Sequence, residues 1–252
     1  MVDAAQNSKV QDEHDFVKPS NGLWLILWDI DGTLMSSDGA GRASMEFVFQ
    51  QIYGIRHALE NIELAGRTDA AILLDLFRCN GIPPRSETLD EFRTRYFHRL
   101  RRIISLHHSP VALPGILEIL MRLESDARYI TGLLTGNWRT SAFIKLRSVG
   151  LDGRFRIGAF AEDAPTRPEL LPVALNRFRE NGHSGVSYRN TVVIGDTPHD
   201  IAVAKAYGAR SVAVATGIHH ADSLRESQPD MLFRTFDTER FFNELALWNS
   251  ES

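Results

Sequence analysis

Between residues 23 and 28 the chain reads Leu-Trp-Leu-Ile-Leu-Trp, six apolar side chains in succession, and then breaks at Asp29-Ile30-Asp31-Gly32-Thr33. A strand with one wet face alternates apolar and polar residues. A continuous apolar run of this length instead predicts a central parallel strand buried on both faces. Further strands are predicted at Tyr129–Leu134, Arg156–Phe160, Thr191–Ile194, Ser211–Ala215 and Met231–Phe233. Helical spacing falls between them, at Ile116–Glu124, at Trp138–Val149, from Pro168 onward, at Ile201–Tyr207 ahead of Gly208, and at Glu239–Leu247. Strands and helices in alternation predict an α/β fold, a doubly wound parallel sheet of Rossmann-like type with helices on both faces. In such a sheet ligands bind at the carboxyl ends of the strands.

The stretch from Gly39 to Ser109 departs from this pattern, with amphipathic helical segments and no strand. Asp69 to Asn80 is closed by Gly81 and Pro83, and Thr88 with Glu91 predicts a capping box ahead of Leu89, Phe92, Tyr96, Leu100 and Ile103. Residues 38–110 are accordingly expected to form an inserted helical cap, and 22–37 with 111–252 the α/β core. Gly39 and Gly41 are candidate hinge points on the outgoing linker. The polar residues 1–21, ending in Pro-Ser-Asn-Gly, are expected to be a flexible tail.

Composition narrows the partners. With 252 residues, 43% of them hydrophobic, the chain is long enough for one substantial core and a smaller appended unit. Its net charge of −4 supplies no electrostatic reason to bind nucleic acid or an anionic membrane surface, which leaves a small molecule as the expected partner. Cys79 is the single cysteine, so an intrachain disulfide and a four-cysteine metal site are excluded. The N-terminal stretch has no apolar run of signal-peptide length, and the run at 23–28 is too short to span a bilayer. A cytoplasmic protein is expected.

Polar clusters fall where the sheet would place a ligand. Asp29-Ile30-Asp31-Gly32-Thr33, Thr135-Gly136-Asn137 and Gly195-Asp196-Thr197-Pro198-His199-Asp200 each follow a predicted strand, and Arg167 lies between the last two. An isolated Asp-x-Asp-Gly-Thr also suits a turn, since Asp and Gly both favour turns; three clusters at strand ends are far more specific. The set resembles the four motifs of the haloacid dehalogenase superfamily in order and spacing, from about Leu23 to Leu247. The inserted helical unit is similar to the cap of the phosphoglycolate phosphatase and β-phosphoglucomutase branch.

That resemblance implies a Mg²⁺-dependent phosphatase acting on a small phosphorylated metabolite through a phosphoryl-aspartate. It makes Asp29 the nucleophile and a metal ligand, with Asp196 and the backbone carbonyl of Asp31 completing the protein ligands. The Asp31 side chain becomes the general acid and then the general base. Thr135 and the Gly136 amide would hold the phosphoryl oxygens, with Gly32, Thr33 and Asn137 also at the substrate. Arg167 stands where the family usually has lysine, and Asp200 would either hold a metal-bound water or orient the basic residue. An acid at Asp31 favours phosphoester cleavage over the dehalogenating and phosphonate-cleaving branches. The loop Leu64-Ala65-Gly66-Arg67-Thr68-Asp69 resembles the one with which such caps reach the site, making Arg67 a candidate for substrate contact. The competing reading has Thr68 or Asp69 capping the next helix and Arg67 in solvent.

The chemistry accounts for this inventory. An anionic ester repels an anionic attacker, so charge must be neutralised and the nucleophile held in line. Mg²⁺ takes hard oxygen ligands from carboxylates, waters and phosphate. Competing functions are a phosphosugar mutase with the same core motifs, a catalytically silent binding protein, and a receiver domain. The last places its acid in the middle of a chain about half as long. Trp28, Trp138, His107-His108 and His219-His220 are read as structural, and Cys79 as buried on an apolar helix.

Overall fold

The computed structural model describes residues 22–250, so the tail expected at 1–21 lies outside the described residues. The central strand β1 (Trp24–Trp28) is buried at every position. Its alternate side chains serve two different cores. Trp24, Ile26 and Trp28 pack on one face against α4 (Ile116–Glu124), α5 (Arg139–Ser148) and α9 (Thr238–Ser250). Leu25 and Leu27 pack on the other against α6 (Leu170–Glu180) and α7 (Pro198–Tyr207). This two-sided burial is why the strand reads as an unbroken apolar run.

Flanking β1 are β4 (Tyr129–Leu134) and β6 (Thr191–Gly195), both parallel to it; β5 (Gly158–Ala159), β7 (Arg210–Val214) and β8 (Met231–Phe233) extend the sheet. The order is β5-β4-β1-β6-β7-β8. Strand order reverses at β1, so the crevice between β1 and β6 is the topological switch point. A short helix α8 (Ala221–Glu226), entered through His220, lies between β7 and β8.

The insertion leaves the core through a two-residue ribbon, β2 (Met35–Ser36) paired antiparallel with β3 (Val111–Ala112). Between them lie α1 (Ala40–Tyr53), α2 (Asp69–Cys79) and α3 (Ser86–Ile103). They share a core of their own, in which Phe49, Phe77 and Phe92 meet edge to face. Trp138, at the head of α5, joins this cluster against Tyr96 and Phe97, so the cap packs directly on the core.

Three local expectations need correction. Helix α3 begins at Ser86, directly after Pro83-Pro84-Arg85, so Thr88 lies inside it and donates its hydroxyl to the Arg85 carbonyl. Glu91 pairs forward with Arg95 at 2.6 Å instead of closing a capping box. Cys79 is exposed, because the last turn of α2 has passed beyond the buried stripe of Ile72, Leu73, Leu76 and Phe77. Gly41 sits in the first turn of α1 and is not linker, whereas Gly39 ahead of it is left-handed with φ of 76°.

Candidate active site

Register places the first acids together. Trp28 pairs with Ile194, and the Asp29 amide donates to the Ile194 carbonyl at 2.9 Å, so Asp29 and Asp196 leave adjacent strands side by side. Asp29, Asp196 and Asp200 are all buried, with carboxylate oxygens within 4.8 Å of one another. Burial pushes the Asp29 carboxyl up to about 6, with the charges of Asp200 and Asp31 adding to the effect and Arg167 opposing it. Asp196 is pushed up to about 8, by burial first and then by Asp29 and Asp200. Such crowding is relieved by a cation, and an all-oxygen donor set of carboxylates fits Mg²⁺.

The backbone closes tightly around Asp196. Gly32 has φ of 76°, and a Cβ there would overlap Asp196 Oδ2; a Cβ at Gly217 would overlap the same oxygen. Thr33 Oγ1 donates to Asp196 Oδ1 at 3.4 Å. Thr216 Oγ1 ties this approach together by donating to the Gly32 carbonyl at 2.6 Å. Neither Gly217 nor Thr216 stood out in the sequence, because they follow β7, away from the motif strings.

Arg167 enters from the turn before α6, its side chain only 6% exposed. Its Nη2 lies 3.1 Å from Asp29 Oδ1 and 2.5 Å from Asp200 Oδ1. Asp200 Oδ2 accepts from the Thr197 amide and hydroxyl at 3.1 and 2.7 Å, which closes the capping box of α7. Asp200 thus pairs with Arg167 through the oxygen left over from its helix cap, while also standing in the acidic cluster with Asp29 and Asp196. Among the described residues Arg167 Nε is buried without a hydrogen-bond partner, a donor that a ligand oxygen could take.

Asp31 belongs to a separate group of partners. Its Oδ2 accepts from Lys145 Nζ at 2.5 Å and from Asn137 Nδ2 at 2.9 Å, and its Oδ1 accepts from Ser37 Oγ at 2.9 Å. Burial opposes ionisation here, but the Lys145 charge and these hydrogen bonds outweigh it and hold the carboxyl below its usual value. The Asp31 side chain remains 38% exposed, so it also borders open space. Asn137 donates to Thr135 Oγ1 at 2.9 Å as well and accepts from Lys145 at 2.6 Å. The Thr135 side chain beside Asp29 favours its ionised form, against the effect of burial.

Lys145 was missed in the sequence. The signal was available: it lies on α5 between Ala142 and Leu146, a lysine on the buried stripe of a helix, and its side chain is 6% exposed. A buried lysine requires partners.

The cap meets this site through the loop before α2. Thr68 caps that helix, accepting from the Ala71 amide at 3.2 Å. The Arg67 guanidinium is paired with Asp75 at 2.6 Å and donates to the Glu63 carbonyl, so it is held within the cap. Its backbone carbonyl packs against Gly136, where a Cβ would overlap it. Asp69 is buried against the core, accepting from the Trp138 amide at 3.0 Å and from Ser141 Oγ at 2.9 Å.

Comparison with known proteins agrees with this architecture. The sequence model of the haloacid dehalogenase-like hydrolases matches residues 26–214. Pyrophosphatase PpaX of Halalkalibacterium halodurans is 26% identical over 218 residues, covering 83% of this chain and 92% of that one. Phosphoglycolate phosphatase of Aliivibrio fischeri is 25% identical over 224 residues, covering 84% and 92%. Among solved structures, a hydrolase from Pseudomonas syringae superposes with a TM-score of 0.65 at 22% identity, covering 89% of this chain and 98% of that one. CbbY from Rhodobacter sphaeroides, solved in complex with phosphate, gives 0.65 at 16% identity, covering 84% and 94%. The sheet order, the inserted helical cap and the acids at the ends of β1 and β6 thus have a common name: the chain belongs to the haloacid dehalogenase-like hydrolases. No helix among its described residues is long and apolar enough to cross a membrane.

Proposed function

We propose that this hydrolase cleaves a small phosphomonoester in two steps, transferring the phosphoryl group to Asp29 and then to water. One observation carries the reading: the two acids of the first motif are held in different surroundings. Asp29 sits among Asp196, Asp200 and Arg167, while Asp31, two residues on, is turned to Lys145, Asn137 and Ser37. The first group suits attack beside a cation. In the second, Asp31 is a ready base beside Lys145, and the negative charge of a bound ester would raise its carboxyl toward the acid form that the first step needs.

Asp29, Asp196 and the carbonyl of Asp31 would hold Mg²⁺, whose charge offsets the repulsion between carboxylate and ester. In the first step an Asp29 oxygen bonds to phosphorus while the ester oxygen leaves with a proton from Asp31. In the second, Asp31 takes a proton from water, the hydroxyl bonds to phosphorus, and the Asp29–phosphorus bond breaks. Thr135, the Gly136 amide and Arg167 hold the phosphoryl oxygens, with Gly32, Thr33 and Asn137 shaping the same pocket. The helical unit, assigned to residues 38–110, closes over the reacting group and excludes water. A cap of this kind favours a small metabolite, in keeping with relatives named for phosphoglycolate and pyrophosphate.

The test is phosphate release from a panel of phosphorylated sugars and short organic acids with Mg²⁺. Release of inorganic phosphate supports hydrolysis; transfer to a sugar hydroxyl without release would make the enzyme a mutase. No turnover of any ester would leave a silent binding protein.

A further inference from the structure

Asp69 opens α2, where an acid ordinarily faces solvent and complements the positive end of its own helix. That position is already served by Thr68, and Asp69 turns away from α2 to the core, 8% exposed. Helix α5 has the complementary deficiency: its N-cap is Trp138, whose side chain accepts no hydrogen bond from the helix. Asp69 Oδ2 supplies the acceptor across the domain boundary, taking the Trp138 amide and Ser141 Oγ. In the opposite direction, the Asp69 amide donates to the Gly136 carbonyl at 2.6 Å.

One cap residue therefore grips the backbone on both sides of Asn137. The Asn137 side chain is the hub of the acid–base group, bonded to Asp31, Thr135 and Lys145. We propose that Asp69 is a positioning residue, a clamp by which the docked cap fixes the 136–138 segment and, through Asn137, the orientation of Asp31. This rests on Asp31 being the acid–base group of the phosphatase reading above. The clamp makes full activity on poor leaving groups depend on the cap being seated.

The test compares Asp69→Ala, Asp69→Asn and Thr68→Ala. In Asp69→Ala the Trp138 amide should lose protection in hydrogen–deuterium exchange. Asp69→Asn, which keeps an acceptor oxygen, should restore most of it. The kcat/KM for an alkyl phosphate, which reports the first step, should fall about tenfold or more in Asp69→Ala, the scale of a misplaced catalytic group. The kcat/KM for p-nitrophenyl phosphate, whose leaving group needs little protonation, should change much less. Thr68→Ala weakens the start of α2 without touching the clamp, so it should leave the ratio of the two rates at the wild-type value.

Unchanged protection at Trp138 in Asp69→Ala would overturn the clamp. Equal losses of kcat/KM on both esters, or the same selective loss in Thr68→Ala, would overturn its coupling to Asp31. If the unaltered protein cleaves neither ester, the phosphatase reading fails and the coupling with it, while exchange at Trp138 still decides whether the clamp exists.

Discussion

Lys145 Nζ lies 2.5 Å from Asp31 Oδ2, joining the middle of α5 to the first motif across 114 residues of chain. The same ammonium reaches Asn137, and Asp69 adds a further negative charge nearby. Lys145→Met should leave Asp31 without its cation. Breaking a buried pair by removing one partner costs about 3–5 kcal/mol, and the 38% exposure of Asp31 places this one at the low end or below. Denaturant unfolding checks the stability loss. A midpoint unchanged from wild type would show the pair to be dispensable.

Asp31→Asn should separate the two chemical steps. An alkoxide leaving group would need the proton assigned to Asp31, and p-nitrophenolate would need it little, so the losses in the first step should differ by about two powers of ten. With the nitrophenyl ester the second step should become limiting. Rapid mixing would then show a burst close to one nitrophenolate per active site. Equal losses without a burst would reassign Asp31 to a structural role.

Metal and pH should be linked through the buried acids. Asp29 and Asp69 are raised to about 6 and Asp196 to about 8, all above the ordinary 3.8. A raised carboxyl stabilises the fold most when protonated, and that stability is lost as pH rises through the folded-state value. In EDTA the Tm should therefore fall between pH 6 and pH 8, and Mg²⁺ should raise it by more at pH 8 than at pH 6. A flat Tm in EDTA with an equal Mg²⁺ increment at both values would contradict the placement of the ion among these acids. Ca²⁺ should restore little turnover, since its longer bonds and looser coordination misplace the nucleophile.

The core of this fold was legible because β1, buried on both faces, permits no polar residue until the chain reaches the crevice at Asp29. Asp31, Asn137 and Asp196 were legible for the same reason, each standing just past a strand end. What escaped depends on partners distant in sequence. Lys145 acquires meaning only from Asp31, and Asp69 only from Trp138 and Ser141. Arg67 was selected by its loop, but the turn of α2 that follows brings Asp75 to its guanidinium. The β2–β3 ribbon, two residues a side, is too short to show a period.

Asp29 should carry the phosphoryl group between the two steps. Mass spectrometry of the Asp31→Asn protein, acid-quenched during turnover of p-nitrophenyl phosphate with Mg²⁺, should find one added phosphoryl group on the peptide containing Asp29. Asp29→Asn should abolish both the adduct and turnover while leaving the fold intact. Undiminished turnover by Asp29→Asn, or a phosphoryl group on another residue, would contradict the account.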